Sequence, residues 1–282
     1  MAELLEGKIL ANKIKKNLQE EIKTLGTTPI LASIQVGENA SSEIYSRQQK
    51  RIADELGVKY CLFRMDGKVQ ENELIELIES LNKDKTIQGI IIQMPLPAHI
   101  DRQKIIEKLN VWKDIEGIHP ENLGYISLGR PRFIPCTAEA VFELVKSTGV
   151  NLHGKETVIV GHSEIVGKPL SLLFMNEFST VTVCHIGTFE AGHLEEHIQR
   201  AEVLVVAVGK ANLVKGEWIK EGAVVIDVGI NKVGEKIVGD VEFEEAKAKA
   251  SWITPVPGGV GPLTVIMLMR NLVKAAKLQF SR

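Results

Sequence analysis

Three groups of residues in this 282-residue chain combine types and spacings that chemistry can use. Tyr45 and Gln49 stand four apart in a helical pattern, so they share a face. Gln93 closes an apolar strand just before Met94-Pro95-Leu96-Pro97, and Asp114 and Glu116 fall in Lys113-Asp114-Ile115-Glu116-Gly117-Ile118-His119-Pro120. A ring, amides and carboxylates together suit a flat, amide-rich heterocycle. Taken singly, each reads equally well as an exposed surface residue, and the tyrosine as half-buried packing. The second group is Gly161-x-Ser163-x-x-Val166-Gly167, which follows a strand and opens a helix, the context of a dinucleotide-binding turn. Ser163 replaces the second glycine of that pattern; its hydroxyl can donate to a phosphate, while its Cβ keeps the main chain further off. Alone this is an ordinary βα turn, but glycines also end later strands, at Val208-Gly209 and Asp227-Val228-Gly229-Ile230-Asn231. Such strand ends pointing at one crevice favour a nucleotide. The third group is Ile253 to Thr264, with three prolines and three glycines between Pro255 and Pro262. Pro257-Gly258 is expected in the middle of a type II turn and Pro262 at the first position of a helix over Leu263–Ala276. The loop is either a tight entry turn or a rigid approach by which a flat or anionic ligand reaches main-chain N–H groups.

Alternating strands and helices must position these groups. Residues 7–24 read as a first helix, with Leu4, Ile9, Leu10, Ile14, Leu18 and Ile22 at helical spacing. Pro29–Val36 is a strand, Ser42–Leu56 a helix, Val58–Arg64 a strand, Leu74–Leu81 a helix, and Ile87–Gln93 an almost wholly apolar strand of the kind covered on both faces. A short helix over 101–109 and a longer one over Cys136–Thr148 follow. The alternation restarts at Glu156, with strands at Thr157–Val160, 180–185, 202–208 and 223–228 and helices over Lys168–Glu177 and near 190–199. This order implies an α/β fold with parallel sheets.

Composition narrows the function. At 282 residues the chain can build two domains with substantial cores. A net charge of −2 with interleaved acids and bases, and 5% aromatic residues, argue against a nucleic-acid partner. Cys61, Cys136 and Cys184 form no CxxC pair, so neither a disulfide framework nor a metal site is indicated, and a reducing cytoplasm fits. The N-terminal pattern lacks the apolar centre of a signal peptide, and no run is long enough to span a bilayer.

Motifs along nearly the whole chain resemble one family. They are Val36-Gly37-x-Asn39-x-x-Ser42-x-x-Tyr45, Gln88-Gly89-Ile90-x-x-Gln93-x-Pro95-Leu96-Pro97, Lys113-Asp114-x-x-Gly117-x-His119-Pro120-x-Asn122-x-Gly124, Pro135-Cys136-Thr137, Val225-Ile226-Asp227-Val228-Gly229-Ile230-Asn231, Gly239-Asp240-Val241 and Pro255-Val256-Pro257-Gly258-Gly259-Val260-Gly261-Pro262. In that order they resemble the methylenetetrahydrofolate dehydrogenase/methenyltetrahydrofolate cyclohydrolase enzymes. The resemblance implies two α/β domains with a cleft between them: a folate-binding catalytic domain over 1–120, with the C-terminal helix of about 264–282 packing back on it, and a Rossmann-like dinucleotide domain over 121–282. It implies oxidation of 5,10-methylenetetrahydrofolate to the methenyl cation, ring opening to 10-formyltetrahydrofolate, a homodimer, NADP as cofactor, and no metal. Tyr45, Gln49, Gln93 and Glu116 would occupy the catalytic positions. Tyr45, Gln93, Leu96, Pro257, Gly258 and Gly259 would line the folate site, and Gly161, His162, Ser163, Ile165, Val166, Gly167, Ile186, Gly209 and Ile230 the dinucleotide site.

Some positions depart from that family pattern. Its catalytic lysine, four residues after the tyrosine, is Gln49 here, and Lys50 lies about 100° round the helix. Transfer of a hydride needs two aligned ligands, whereas ring opening needs protons moved, which an amide cannot do. An active dehydrogenase with a weak or absent cyclohydrolase is therefore expected. Glu116 replaces the usual aspartate and lengthens the reach to the pterin. The strand after the glycine turn ends Val183-Cys184-His185-Ile186-Gly187, without the acid of an NAD site. His162 and Ile186 stand where many relatives carry the arginine and serine of a 2′-phosphate reader, so NAD is also open. A fully bifunctional dehydrogenase/cyclohydrolase, a non-catalytic folate or nucleotide sensor, and a different dehydrogenase with another substrate are the competing readings.

Overall fold

The computed structural model describes residues 2–280, with only the backbone at Ser41; the last two residues of the expected C-terminal helix lie outside them. In chain order the elements are β1 (Glu3–Leu4), α1 (Gly7–Thr24), β2 (Ile30–Val36), α2 (Ala40–Leu56), β3 (Lys59–Met65), α3 (Glu71–Lys83), β4 (Gly89–Ile92), α4 (Arg102–Glu107), α5 (Pro120–Ser127) and α6 (Cys136–Ser147). There follow β5 (Glu156–Val160), α7 (Gly167–Asn176), β6 (Thr180–Cys184), α8 (Ile186–Glu190), α9 (Leu194–Arg200), β7 (Val203–Val206), β8 (Val224–Asp227), β9 (Asn231–Val233), β10 (Lys236–Val238), α10 (Phe243–Lys249), β11 (Trp252–Ile253) and α11 (Val260–Phe280). The chain forms two compact units. One comprises residues 1–12, 126–130 and 135–264; the other comprises residues 13–125, 131–134 and 265–282.

The unit built around residues 13–125 holds a parallel sheet in the order β3-β2-β4. β2 is its centre, and the two-residue period divides its side chains. Ala32, Ile34 and Val36 join the apolar cluster under α3 and α4, while Ser33 and Gln35 are buried on the opposite face. α3 starts at a capping box, with the Glu73 carboxylate accepting from Gln70 N at 2.9 Å. The Lys113 ammonium then donates to the carbonyls of Leu81 at 2.8 Å and Asp84 at 2.6 Å, satisfying main-chain acceptors at the far end of α3. Burial holds the Lys113 pKa below its usual value.

The other unit is organised by a six-stranded sheet in the order β1-β11-β8-β7-β5-β6. Every pairing in it is parallel. β5 pairs with β6 on one side and with β7 on the other, so successive crossovers leave in opposite directions from β5. A crevice at the carboxyl ends of β5 and β7 is the ligand position of such sheets.

The expected α/β alternation is present, with local differences. Leu4 belongs to β1 rather than to the first helix, because its neighbours bond to Ser251 and Ile253: Glu3 N to Ser251 O at 2.8 Å and Leu5 N to Ile253 O at 2.9 Å. The single helix expected near 190–199 is two, α8 and α9, broken at Gly192, whose φ of 76° is left-handed. The β9–β10 hairpin and α10 had no anticipated counterpart. Pro257-Gly258 does not form a type II turn. Val256–Pro257 is cis, Gly258 has φ 115°, and the closing bond runs from Gly259 N to Pro255 O at 2.8 Å, one residue longer than a β-turn. α11 begins at Val260, so Pro262 lies inside the first turn, where its missing N–H costs no helical bond.

On α11, Asn271 is buried and its Nδ2 donates to Ile115 O at 2.9 Å and Ile134 O at 3.1 Å. Removing that amide leaves two carbonyls without this donor in a packed interior. Asn271→Leu is expected to lower the unfolding free energy by roughly 2 kcal/mol or more in a urea titration, whereas Lys277→Ala, which removes a half-exposed ion pair to Glu21, should stay within about 0.5 kcal/mol.

Candidate functional site

At the carboxyl ends of β2 and β4, α2 brings several anticipated residues together. Asn39 Oδ1 accepts from Ser42 N at 3.1 Å near the start of α2, and Ser42 Oγ donates to Met94 O at 2.8 Å, tying α2 to the loop that holds cis-Pro95 and Leu96. One face of α2 then presents Tyr45, 39% exposed, and Gln49, 3% exposed. Gln93 follows β4 directly and is also buried. Its Nε2 donates to Gln49 Oε1 at 2.8 Å and to Ser33 Oγ at 2.9 Å. Tyr60 OH donates to the same Gln49 oxygen at 3.2 Å. Leu96 is half-buried against the apolar cluster of this unit. Neither Ser33 nor Tyr60 was singled out from sequence; the available signal was a serine amid the apolar residues of a central strand.

A second carboxylate group shapes the 113–122 loop in the same unit. Asp114 is fully buried and accepts from Gly117 N (3.1 Å), Ile118 N (3.3 Å), His119 N (2.8 Å) and Asn122 Nδ2 (2.8 Å). Desolvation raises its pKa, opposed by those donors. Arg132 supports Asn122 at 3.3 Å, its guanidinium lying 3.8 Å from the Trp112 ring centre and 4.8 Å from that of Tyr125. The half-buried Glu116 is carried by the loop so formed. Burial first, and then the Asp114 charge, push its carboxyl up to about 7, with Arg102 opposing. At neutral pH Glu116 can both give and take a proton, a property that matters for any acid–base role.

In the other unit the glycine turn sits at the carboxyl end of β5. Gly161 has φ 125°, and a Cβ there would lie 2.3 Å from Ala207 O; a Cβ on Gly167 would lie 2.0 Å from Gly161 O. Only glycine allows this close packing of strand, turn and helix. Ser163 Oγ accepts from Val166 N at 3.2 Å, which leaves its hydrogen free to donate. His162 and His185 approach each other with ring centres 5.3 Å apart. Ile165, Ile186, Val208 and Ile230 are exposed around the same strand ends, at 42%, 65%, 46% and 69%. Apolar side chains left open around a main-chain cradle fit a flat-ringed dinucleotide.

The next strand ends are knotted by two carboxylates. Asp227 accepts from Gly229 N (2.9 Å), Asp240 N (3.0 Å) and Val241 N (2.9 Å). Asp240 Oδ2 accepts from Val208 N (2.7 Å) and Gly209 N (2.9 Å), and its Oδ1 from Asn231 Nδ2 (2.8 Å). A Cβ at Gly239 would meet Asp227 Oδ2 at 1.9 Å, and one at Gly229 would meet Asp240 Oδ1 at 2.2 Å, so both glycines are required by the carboxylates. Burial pushes Asp227 up to about 6 despite its three N–H donors. In the Pro255–Pro262 loop Pro257 is exposed and Gly258 half-buried, with Gly258 O accepting from Gly7 N at 3.1 Å; Gly259 is buried.

Comparison with known proteins decides the family. Residues 5–116 match the catalytic domain and residues 135–280 the NAD(P)-binding domain of the tetrahydrofolate dehydrogenase/cyclohydrolase family models. The chain belongs to this family. It is 48% identical over 280 residues to the bifunctional protein FolD of Bacillus pumilus, covering 98% of each chain. The crystal structure of the bifunctional FolD dehydrogenase/cyclohydrolase from Campylobacter jejuni is similar over 99% of both chains, with 43% identity and a TM-score of 0.96. A Trypanosoma brucei FolD structure, complexed with NADP cofactor and inhibitor, is 36% identical with a TM-score of 0.95, over 100% of this chain and 99% of that one.

The raised Glu116 pKa has a consequence for stability. Its usual value is 4.5, so between there and about 7 the unfolded chain ionises this carboxyl while the folded chain keeps it protonated. Folding then loses stability as pH rises through that window. Glu116→Gln cannot ionise; the difference in Tm between the variant and the parent is expected to shift in the variant's favour from pH 4.5 to about 7 and then to level off, in thermal melts across pH.

Proposed function

We propose that this chain is a nicotinamide-dinucleotide-dependent methylenetetrahydrofolate dehydrogenase whose second activity, hydrolysis of the methenyl cation, is weak or absent. The observation that carries the division is the Gln49–Gln93 amide pair, 2.8 Å apart, at the position where the family pattern has a proton-carrying lysine. Oxidation removes a hydride from the methylene carbon of the folate and leaves a cation shared by its two nitrogens. The bound dinucleotide supplies the acceptor for that hydride. What the protein must add is alignment and an environment that favours the cation, and no side chain needs to titrate. Tyr45 flanks the pterin, Gln93 faces the reacting centre, Leu96 lines the folate, and Glu116 reaches its polar edge. Ring opening adds water to the cation and releases a proton, and a primary amide carries no proton to trade at neutral pH. A second reading, that both activities are kept, rests on Glu116, which titrates at about 7 and could take the lysine's part.

For the dinucleotide, Gly161 to Gly167 and Gly209 supply the main-chain cradle, with Ser163 donating to phosphate, Ile165, Ile186 and Ile230 against the rings, and Val166 buried behind the turn. The residue pattern of the family favours NADP. His162 and Ile186 replace arginine and serine, so the charge-assisted bonds that reward a 2′-phosphate are missing. We read the unit around residues 13–125 as the folate side, the unit around residues 135–264 as the dinucleotide side, and the enzyme as a cytoplasmic homodimer.

Absorbance assays of each half-reaction test this. Methylenetetrahydrofolate oxidation is expected, with hydrolysis of methenyltetrahydrofolate close to the buffer rate; Gln49→Lys should raise hydrolysis about 10-fold or more. Hydrolysis by the unmodified protein well above buffer, lost in Gln49→Ala, would overturn the division of activities. If hydrolysis is instead lost in Glu116→Gln, the second reading holds. For the cofactor, kcat/KM with NADP and with NAD should differ by no more than about 100-fold, the worth of one charge-assisted hydrogen bond. A larger ratio in either direction would mean that a reader of the adenosine ribose lies elsewhere.

A further inference from the structure

The two amides at the folate site belong to a longer chain of bonds. Tyr60 OH donates to Gln49 Oε1, Gln93 Nε2 donates to that same oxygen, and the second Nε2 hydrogen goes to Ser33 Oγ, at 3.2, 2.8 and 2.9 Å. Ser33 is fully buried, and Gln49 and Gln93 are 3% and 7% exposed. Two groups in this chain are left over: Gln49 Nε2 and Gln93 Oε1 make no hydrogen bond to a described residue. Neither is among the sealed buried atoms without a partner, so both touch the accessible surface. The network therefore spends the Gln49 carbonyl and the Gln93 amino group internally. It turns a donor at Gln49 and an acceptor at Gln93 towards a ligand.

We propose that Tyr60 and Ser33 are positioning residues for the dehydrogenase reaction, fixing which face of each amide meets the folate. The inference rests on the folate reading of this site. A carbonyl oxygen aimed at a carbon that becomes cationic is a preorganised dipole, stronger in the transition state than in the ground state. The Gln49 amino group, being neutral, gives a hydrogen bond without setting a positive charge beside the developing cation. Each amide has a twofold choice, and the shared bond couples them, since two amino groups cannot face each other. Ser33 Oγ can donate or accept, but a phenol is a stronger donor than acceptor, so Tyr60 favours the polarity that turns the Gln49 carbonyl towards it. The second donor on Gln49 Oε1 is what Tyr60 contributes to the present polarity. Tyr60 sits at the start of β3, and among the described residues its hydroxyl bonds only to Gln49, so it acts on the ligand through Gln49.

A double-mutant cycle reads this directly. Tyr60→Phe is expected to lower kcat for methylenetetrahydrofolate oxidation about 3- to 10-fold, the worth of one hydrogen bond, with KM for the dinucleotide unchanged. In a Gln49→Leu background the same substitution should cost less than about 2-fold, because the group it positions is gone. Full activity of Tyr60→Phe overturns the proposal. So does a loss that persists undiminished alongside Gln49→Leu, or one that appears in the dinucleotide KM, since each would mark a general packing effect. Should Gln49→Leu not fold, Gln49→Ala serves as the background. If the unmodified protein does not oxidise methylenetetrahydrofolate, the functional reading itself has failed, whatever the variants show.

Discussion

A buried carboxylate that accepts several main-chain N–H groups shapes the strand-end loops of both units. Asp114 gathers the amides of residues 117–119, and Asp227 gathers those of residues 229, 240 and 241. A loop with no ladder to join must satisfy its N–H groups somewhere, and an ionised carboxylate satisfies several at once. The cost is desolvation, visible as a raised pKa at both aspartates. The gain is a loop held without bulky side chains, so that its outer face stays open. The carboxylates in turn dictate glycine at 229 and 239, where any Cβ would strike them. Glu116 and the exposed Ile230, both proposed site residues, are carried on loops fixed from behind.

Much of this organisation is readable in the sequence because hydrophobic period and glycine position follow from backbone geometry. The apolar run of β4, the strand–turn–helix at Gly161 and the βα alternation all have local causes. The failures have distant causes. Leu4 fitted a helical spacing, and only its pairing with Ile253, far along the chain, makes it a strand. The Pro257-Gly258 turn takes a different closing bond because its main chain is shared with Gly7, another distant partner. Tyr60 and Ser33 escaped notice for the same reason: nothing near them in sequence reveals that they end on the same pair of amides.

Gln49 illustrates how environment converts one residue into a role. An isolated glutamine on a helix is a surface residue. Here it is buried, its oxygen is held by two donors, and its amino group is left over. That arrangement keeps a hydrogen-bonding group at this position without a titrating one, while the carboxyl of Glu116, its pKa raised, stands on the 113–122 loop.

The pairing of β1 with β11 bears on how the chain is made. Residues 3 and 4 are synthesised well before their partners, residues 252 and 253. At ribosomal speed the interval between them is on the order of ten seconds or more. Through that time β1 has no β11 to pair with. Conversely, β11 on its arrival is an open edge until β1 closes it, and an open edge invites pairing with a neighbouring chain. β1 thus acts as a late seal on an edge that exists only once β11 has been made.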